Sequence, residues 1–386
     1  MSRKMLFNTG WLFRKVTEDY ETDWERVMLP HDWQIYDTQK LYEDGEGWYK
    51  KEFIYQPADE LAFLRFDGVY MDCTIWINGE EAFAWKYGYS SFEFEITDYL
   101  IEGNNEILVK TVFKGPNSRW YSGAGIYRNV WFVTRSDSHF VADGIYVSTE
   151  CVDGLQAADN NEWLVKVSSE FVLDSLDVAN GLEDVSIRYS IADNDNNCVA
   201  ASEDNVCLSA YVDACSTEVE NKKREHIIKH DSLIFTNNIK KWDIEAPNLY
   251  ILSVNLYVKN ELVDNEIVRF GFRKIEYLPQ KGFLLNGRKV VLNGVCMHHD
   301  LGCLGAAVNK HAIKRQLEIM KSMGANAIRT AHNMPASELL DLADEMGLLV
   351  NDESFDMWEL SKTPYDYARF FNDWHEKDVA SWIRRD

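Results

Sequence analysis

From residue 290 onward the sequence alternates short apolar runs with segments of helical period, three times in succession. Val290-Val291-Leu292 is a β-branched run, and the stretch after it places Ile313, Leu317 and Met320 on one helical face before Gly324. Asn326-Ala327-Ile328-Arg329-Thr330 reads as a second strand, followed by a helix with Leu339, Ala343 and Met346 on one stripe and Gly347 at its end. Leu348-Leu349-Val350 reads as a third strand. After a long loop, Trp374 to Arg385 reads as a third helix, with Asp373 and Glu376 at its positive end and Arg384 and Arg385 at its negative end. Strand–helix repetition with short connections requires a parallel sheet. An eight-stranded barrel of such units takes about 250 residues, so three units cannot close one. The expectation for residues 278–386 is the first three β/α units of a truncated (β/α)8 barrel.

The residues before 278 follow a different rule. Ser91-Phe92-Glu93-Phe94-Glu95-Ile96 alternates polar and apolar, as a half-buried strand does. Thr74-Ile75-Trp76-Ile77 runs into Asn78-Gly79, the favoured pair for a tight hairpin, and Asn104-Asn105 precedes a strand from Glu106 to Phe113. These signals predict a β-sandwich over residues 1–138. Val185, Ile187, Tyr189 and Ile191 alternate with Ser186, Arg188 and Ser190, and Trp163 to Leu173 and Tyr250 to Val258 read as further strands. This second β unit, residues 139–277, suits an immunoglobulin-like sandwich, with the charge-rich segment Glu203 to Arg224 as its enlarged loop.

Composition excludes several functions. The 63 acidic residues against 40 basic ones give a net charge of −23, which repels phosphate backbones and excludes nucleic acid as the expected partner. No apolar run of roughly 20 residues is available to span a membrane. The start, Met1 to Phe7, meets Asn8, Thr9 and Gly10 before any apolar signal core forms. The seven cysteines form no C-x-x-C pair, so neither zinc nor a disulfide framework is indicated and a cytoplasmic location is expected. The 13 tryptophans fit either carbohydrate recognition or large sandwich cores.

Barrel enzymes carry their reacting groups where strands end and βα loops begin. Here those positions hold Cys296, Met297, His298, His299 and Asp300, then Arg329, His332 and Asn333, then Asp352, Glu353 and Trp358. Singly, each has a structural reading: Arg329 neutralising Asp352 or Glu353, or those carboxylates capping the next segment. Together, so many titratable groups on one mouth point to a site for a polar ligand. No His-x-x-x-His on a helix supports a metal site, no Gly-x-Ser-x-Gly elbow a serine hydrolase, and no glycine-rich loop a phosphate site.

At these residues the sequence resembles glycoside hydrolase family 2. The stretch from Gly324-Ala325-Asn326-Ala327-Ile328-Arg329-Thr330-Ala331-His332-Asn333-Met334-Pro335 through Leu348-Leu349-Val350-Asn351-Asp352-Glu353 carries the likeness, with Asn286-Gly287-Arg288 and Asn293-Gly294-Val295 upstream. Phe270-Gly271-Phe272-Arg273 is similar to that family's domain junction. Trp242 with Pro247-Asn248-Leu249-Tyr250 is similar to its immunoglobulin-like domain. Pro30-His31-Asp32-Trp33, Trp76-Ile77-Asn78-Gly79 and Ser118 to Arg128 resemble its sugar-binding jelly roll.

The resemblance implies hydrolysis of terminal β-linked sugars with retention, by two glutamates about 5 Å apart. It points most to β-galactosidase, then to β-glucuronidase or another member. It further implies that both glutamates lie beyond Asp386, so that the chain alone is expected to be inactive. Within the chain it gives Arg329 a supporting role, keeping the nucleophile ionised. The sugar pocket is assigned to His298, Asp300, His332, Asn333, Asp352, Glu353 and Trp358, with the loop at Arg119 and Trp120 reaching across from the jelly roll. His299 stands where some relatives carry glutamate. No certain cofactor is implied, although some relatives hold magnesium or sodium, and a homo-oligomer is compatible. A non-catalytic carbohydrate-binding module and a structural, interaction role for the β domains are the competing readings.

Overall fold

The computed structural model describes residues 2–58, 60–152, 162–174, 184–208 and 227–386. The chain divides into two compact units, one comprising Met1–Arg3, Thr134–Leu292 and Asp344–Gly347, the other Lys4–Val133, Asn293–Ala343 and Leu348–Asp386.

In the second of these, a six-stranded antiparallel sheet runs in the order Glu25–Val27, Trp11–Val16, Gly45–Tyr55, Gly103–Phe113, Cys73–Ile77, Glu80–Trp85. A four-stranded sheet carries Arg3–Leu6, Val130–Arg135, Leu61–Phe66 and Phe92–Glu95. Side chains from both meet in one core that includes Trp11, Tyr49, Leu64, Phe66, Ile75 and Val109, all buried. Along Gly103–Phe113 buried positions alternate with partly exposed ones from Asn105 on, the period a sheet with one face in the core demands. Asn104 and Asn105 therefore lie inside this strand rather than before it. Asn78 and Gly79 both adopt positive φ, 51° and 85°, and close the hairpin between Cys73–Ile77 and Glu80–Trp85. The amide of Asn78 also donates to Tyr99 O and to Asn105 Oδ1, each at 2.8 Å.

The same unit holds three parallel strands, β1 (Gly294–Met297), β2 (Ala327–Thr330) and β3 (Leu349–Asn351), paired in that order. Helix α1 (Lys310–Ser322) follows β1, α2 (Ser337–Met346) follows β2, and α3 (Ala368–Arg385) follows β3. These are β/α units of a (β/α)8 barrel, and the three strands form an open sheet. Asn309 caps α1, its side chain accepting from the backbone N–H of His311 and Ala312. Ile313 and Leu317 are the face that α1 buries.

Two sequence expectations need correction here. The first parallel strand is not Val290-Val291-Leu292: Val291 and Leu292 are 67% and 50% exposed. Val290 N donates to Phe283 O at 3.1 Å, at the end of a small antiparallel sheet of Ile275–Leu278, Gly282–Leu285 and Arg288–Lys289. The strand begins at Gly294, so Cys296 and Met297 belong to it rather than to the loop beyond. Helix α3 starts at Ala368, not at Trp374. Asp366 fixes that start: its Oδ1 accepts from Ala368 N (3.0 Å), and its Oδ2 from Lys362 N and Thr363 N (2.7 Å each). Asp373 and Glu376 accordingly lie past the first turn, which holds no acidic residue.

The first compact unit is the immunoglobulin-like sandwich. One sheet orders His139–Cys151, Trp163–Val172 and Ile228–Thr236; the other orders Cys198–Asn205, Val185–Ala192, Tyr250–Val258 and Glu261–Phe270. Val185, Ile187, Tyr189 and Ile191 all point into its core with Trp163, Phe171 and Leu252. Of the loop expected at Glu203 to Arg224, Glu203, Asp204 and Asn205 belong to a strand, and 209–224 lie outside the described residues. Among the described residues no helix is long and apolar enough to cross a membrane.

Candidate functional site

The C-terminal ends of β1, β2 and β3 carry one connected set of polar groups. Arg329, on β2, grips Glu353 just past β3 with two bonds: Nε to Oε1 at 2.5 Å and Nη2 to Oε2 at 3.1 Å. Parallel pairing creates this fork, because β3 lies beside β2 with Arg329 opposite Asn351. His332 Nδ1 lies 3.0 Å from Glu353 Oε2 and 3.2 Å from Arg329 Nη2. A guanidinium has no lone pair to offer and a carboxylate only accepts. In this arrangement the Nδ1–H of His332 donates to Glu353 Oε2. Glu353 N donates to Thr330 Oγ1 (3.1 Å), whose hydroxyl donates to Asp352 Oδ1 (3.0 Å).

His298, after β1, lies 2.6 Å from Ala331 O through Nδ1. A carbonyl can only accept, so the proton sits on Nδ1 and the Nε2 lone pair is left for another donor. Its ring stands 5.8 Å from that of His332. Trp120, from the jelly-roll loop, stacks on His298 at 5.1 Å and 11°, and lies 5.5 Å from His332. The indole N–H donates to Tyr89 OH at 3.1 Å, which fixes its tilt. Arg119 beside it ion-pairs with Asp356 at 2.6 Å.

The other sequence-named residues are placed differently. Asp352 Oδ2 accepts from Trp382 Nε1 of α3 at 2.6 Å. Burial pushes its carboxyl up to about 6, with the Asp386 carboxylate adding to the effect. Asn333 is buried with its Oδ1 3.1 Å from the Tyr87 hydroxyl. Trp358 is 64% exposed and stacks on Phe371 at 6.1 Å. The Asp300 carboxylate makes no hydrogen bond or ion pair among the described residues, and only its main-chain carbonyl is used, by Gln316 Nε2 at 3.1 Å. Asp300 is therefore not joined to the Arg329–Glu353–His332 set. His299 turns inward: Nε2 donates to Ser122 O at 2.9 Å, its ring packs on Tyr89, and burial lowers its pKa to about 4.

Several residues that hold this mouth together had no site role assigned from sequence, although Asp32 and Arg128 stand in the jelly-roll motifs. Asp356 Oδ1 receives Arg119 Nη2 and Lys362 Nζ at 2.6 and 2.8 Å. Burial works against its ionisation, but Lys362 and Arg119 outweigh it and hold the carboxyl below its usual range. The fully buried Arg128 donates to Met334 O (2.8 Å) and Tyr89 O (3.0 Å), pinning the loop after β2. Asp32 is buried with four donors on it: Gln34 N, Ala124 N, Tyr121 OH and Ala306 N, at 3.0, 3.0, 2.6 and 2.8 Å. Among the described residues no three His, Cys, Asp or Glu side chains gather so as to hold a metal ion.

Comparison with known proteins decides the family. Residues 24–146 match the sugar binding domain of glycosyl hydrolases family 2, 173–273 match a further model of that family, and 277–375 match its TIM barrel domain. The chain belongs to glycoside hydrolase family 2. It is 40% identical, over 95% of its length, to the β-galactosidase BoGH2A of Bacteroides ovatus, of which it spans 42%. It is 27% identical, over 89% of its length, to a β-glucuronidase of Bacteroides fragilis, of which it spans 48%. Among solved structures, a family 2 member from Bacteroides cellulosilyticus superposes with a TM-score of 0.87 and 32% identity, covering 100% of this chain and 50% of that one. The chain thus spans about half or less of the family 2 proteins it matches.

Proposed function

We propose that this chain supplies the jelly roll and one wall of the sugar pocket in a retaining β-glycosidase, with terminal β-galactosides as substrates. In this reading the nucleophile and the acid/base glutamate come from outside residues 1–386, and the reaction runs through the two-carboxylate retaining mechanism. The observation that carries it is the stack of Trp120 on His298 beside the Arg329–Glu353–His332 cluster. An indole offers an apolar face for sugar C–H groups, and the adjacent polar groups suit hydroxyls.

Each group has a task in the proposal. Arg329, oriented by its two bonds to Glu353, turns its remaining N–H groups toward the nucleophile and keeps that carboxylate ionised. His298 accepts a sugar hydroxyl at Nε2, and His332 faces the ring from the neighbouring strand end. Asp300, with its carboxylate unengaged, accepts from a pair of hydroxyls. Asn333, Asp352, Glu353, Trp358 and Arg119 complete the wall. The 40% identity to a β-galactosidase supports the choice of sugar.

The test is a panel of aryl β-glycosides on the full-length protein, with product stereochemistry followed by NMR. Release of a β-configured sugar, fastest from the galactoside, is expected; an α-configured product or no turnover sinks the reading.

A further inference from the structure

We propose that a small aromatic-walled cavity beside Trp120 is a socket for one hydroxyl group of the substrate sugar, held by Asn117 and Asp356, and that it selects neutral sugars over uronic acids. The inference rests on the β-glycosidase reading above and specifies its substrate class.

Tyr70, Tyr87, Tyr89 and Trp120 form walls of the cavity, and Asn117, Asn333 and Asp356 also line it. Its volume of about 20 Å³ is room for a single water or hydroxyl group. Asn117 is 5% exposed, and its Oδ1 accepts from Tyr70 OH and Ser122 Oγ, each at 3.2 Å. With Oδ1 turned to those two hydroxyls, the other end of the amide, Nδ2, is the donor left over. Nδ2 is buried with no partner among the described residues. Asp356 is 9% exposed; Arg119 and Lys362 occupy Oδ1, while Oδ2 is buried and has no partner among the described residues.

A buried donor and a buried acceptor left open are each costly. One O–H group satisfies both, its oxygen accepting from Asn117 Nδ2 and its hydrogen going to Asp356 Oδ2. The aromatic walls suit the C–H bonds of the carbon bearing that hydroxyl. Because Trp120 both walls the cavity and stacks on His298, the hydroxyl that enters belongs to a sugar in the strand-end mouth.

A uronate carboxylate meets this socket badly. It carries no proton to donate at neutral pH and brings a second negative charge toward Asp356 Oδ2. Arg119 and Lys362 would attract such a group from a distance, but both donate to Oδ1, leaving Oδ2 open.

The experiment uses the full-length protein with p-nitrophenyl β-galactoside, its monodeoxy derivatives and p-nitrophenyl β-glucuronide. The unaltered protein should prefer the galactoside to the glucuronide by about tenfold or more. Removing one particular hydroxyl should lower kcat/KM by about 10- to 100-fold. In Asn117→Asp, which keeps Oδ1 and replaces only the donor, and in Asp356→Asn, that particular penalty should shrink to about threefold or less. A uniform set of small deoxy penalties in the unaltered protein overturns the proposal without any variant having to fold. So do penalties that persist unchanged in both variants, which would leave the cavity to ordered water, and so does a preference for the glucuronide. Absence of turnover on every glycoside instead fells the β-glycosidase reading, and this inference with it.

Discussion

The indole of Trp120 lies flat on the imidazole of His298, 5.1 Å between centroids and 11° between planes, although 178 positions separate them in the sequence. Two further contacts hold the pair: the indole N–H donates to Tyr89 OH, and His298 Nδ1 donates to Ala331 O. A jelly-roll side chain is thus part of the barrel mouth. Trp120→Ala should weaken galactose binding to the full-length protein by about tenfold, the equivalent of one well-made aromatic contact, as read by calorimetry. Trp120→Phe keeps the stack and loses only the bond to Tyr89, so it should cost less. Equal losses from both would mean that the indole N–H, not the aromatic face, is what matters.

Arg329 and Glu353 form a bidentate ion pair at the mouth. Arg329→Ala in the full-length protein should cut kcat far more than it raises KM, because the proposed role concerns the nucleophile's charge rather than sugar affinity. Glu353→Gln leaves Arg329 in place but loosens its fork, so a smaller kcat loss is expected. Steady-state kinetics on one aryl galactoside distinguishes the cases. A change confined to KM in Arg329→Ala would reassign the arginine to binding.

Local signals in the sequence proved legible where the structure is local. Asn78-Gly79 closes a hairpin because both residues accept positive φ, and α1 ends before Gly324, which also has positive φ. The run Val290-Val291-Leu292 misled because apolar, β-branched chemistry marks a strand only if the residues are buried, and Val291 is not. The start of α3 was signalled by Asp366, a side chain able to cap the N–H of Ala368, but the apolar period from Trp374 on is the stronger pattern. The strand-end groups His298, Arg329, His332 and Glu353 were readable because a parallel sheet brings successive strand ends together. The pairing of Asp356 with Arg119 was not, since it joins positions 237 apart through two different domains. Asp300, although adjacent in sequence to His299, shares no hydrogen bond or ion pair with the Arg329–Glu353–His332 set among the described residues.

Asp32 gives the motif Pro30-His31-Asp32-Trp33 a physical role. Its carboxylate gathers N–H and O–H donors from its own turn, from Tyr121 and Ala124 of the Trp120 loop, and from Ala306 after β1. These four hydrogen bonds oppose the burial of the carboxylate, which nevertheless raises its pKa above the usual range. Asp32→Asn turns one acceptor into a donor facing Tyr121 OH or Ala306 N. The substitution should destabilise the protein by about 2–4 kcal/mol, measured by urea denaturation, and should weaken sugar binding through the displaced Trp120 loop. Undiminished stability would show that the turn tolerates the loss and that these bonds are replaceable.

Asp378 makes a pH-dependent prediction with a definite sign. It is fully buried on α3, accepting from Trp85 Nε1 at 2.9 Å, from Ser90 Oγ at 2.6 Å and from Tyr367 OH. Burial raises its carboxyl to about 6, with those donors and the nearby His375 pulling the other way. A folded-state pKa above the unfolded value of 3.8 means that the folded protein holds the proton more tightly. Its contribution to stability is therefore greatest below pH 4, declines as pH rises to about 6, and is flat above that. The span corresponds to about 3 kcal/mol at most. Asp378→Asn cannot ionise, and its amide can donate to the Tyr367 oxygen while Oδ1 still receives Trp85 and Ser90. Relative to the unaltered protein, the variant should therefore gain stability steadily between pH 4 and pH 6, whatever its offset at either end. Denaturant midpoints of both proteins at matched pH provide the measurement. A difference that stays constant across that window, or that moves against the variant, would show that Asp378 is ionised throughout and that its three donors overcome its burial.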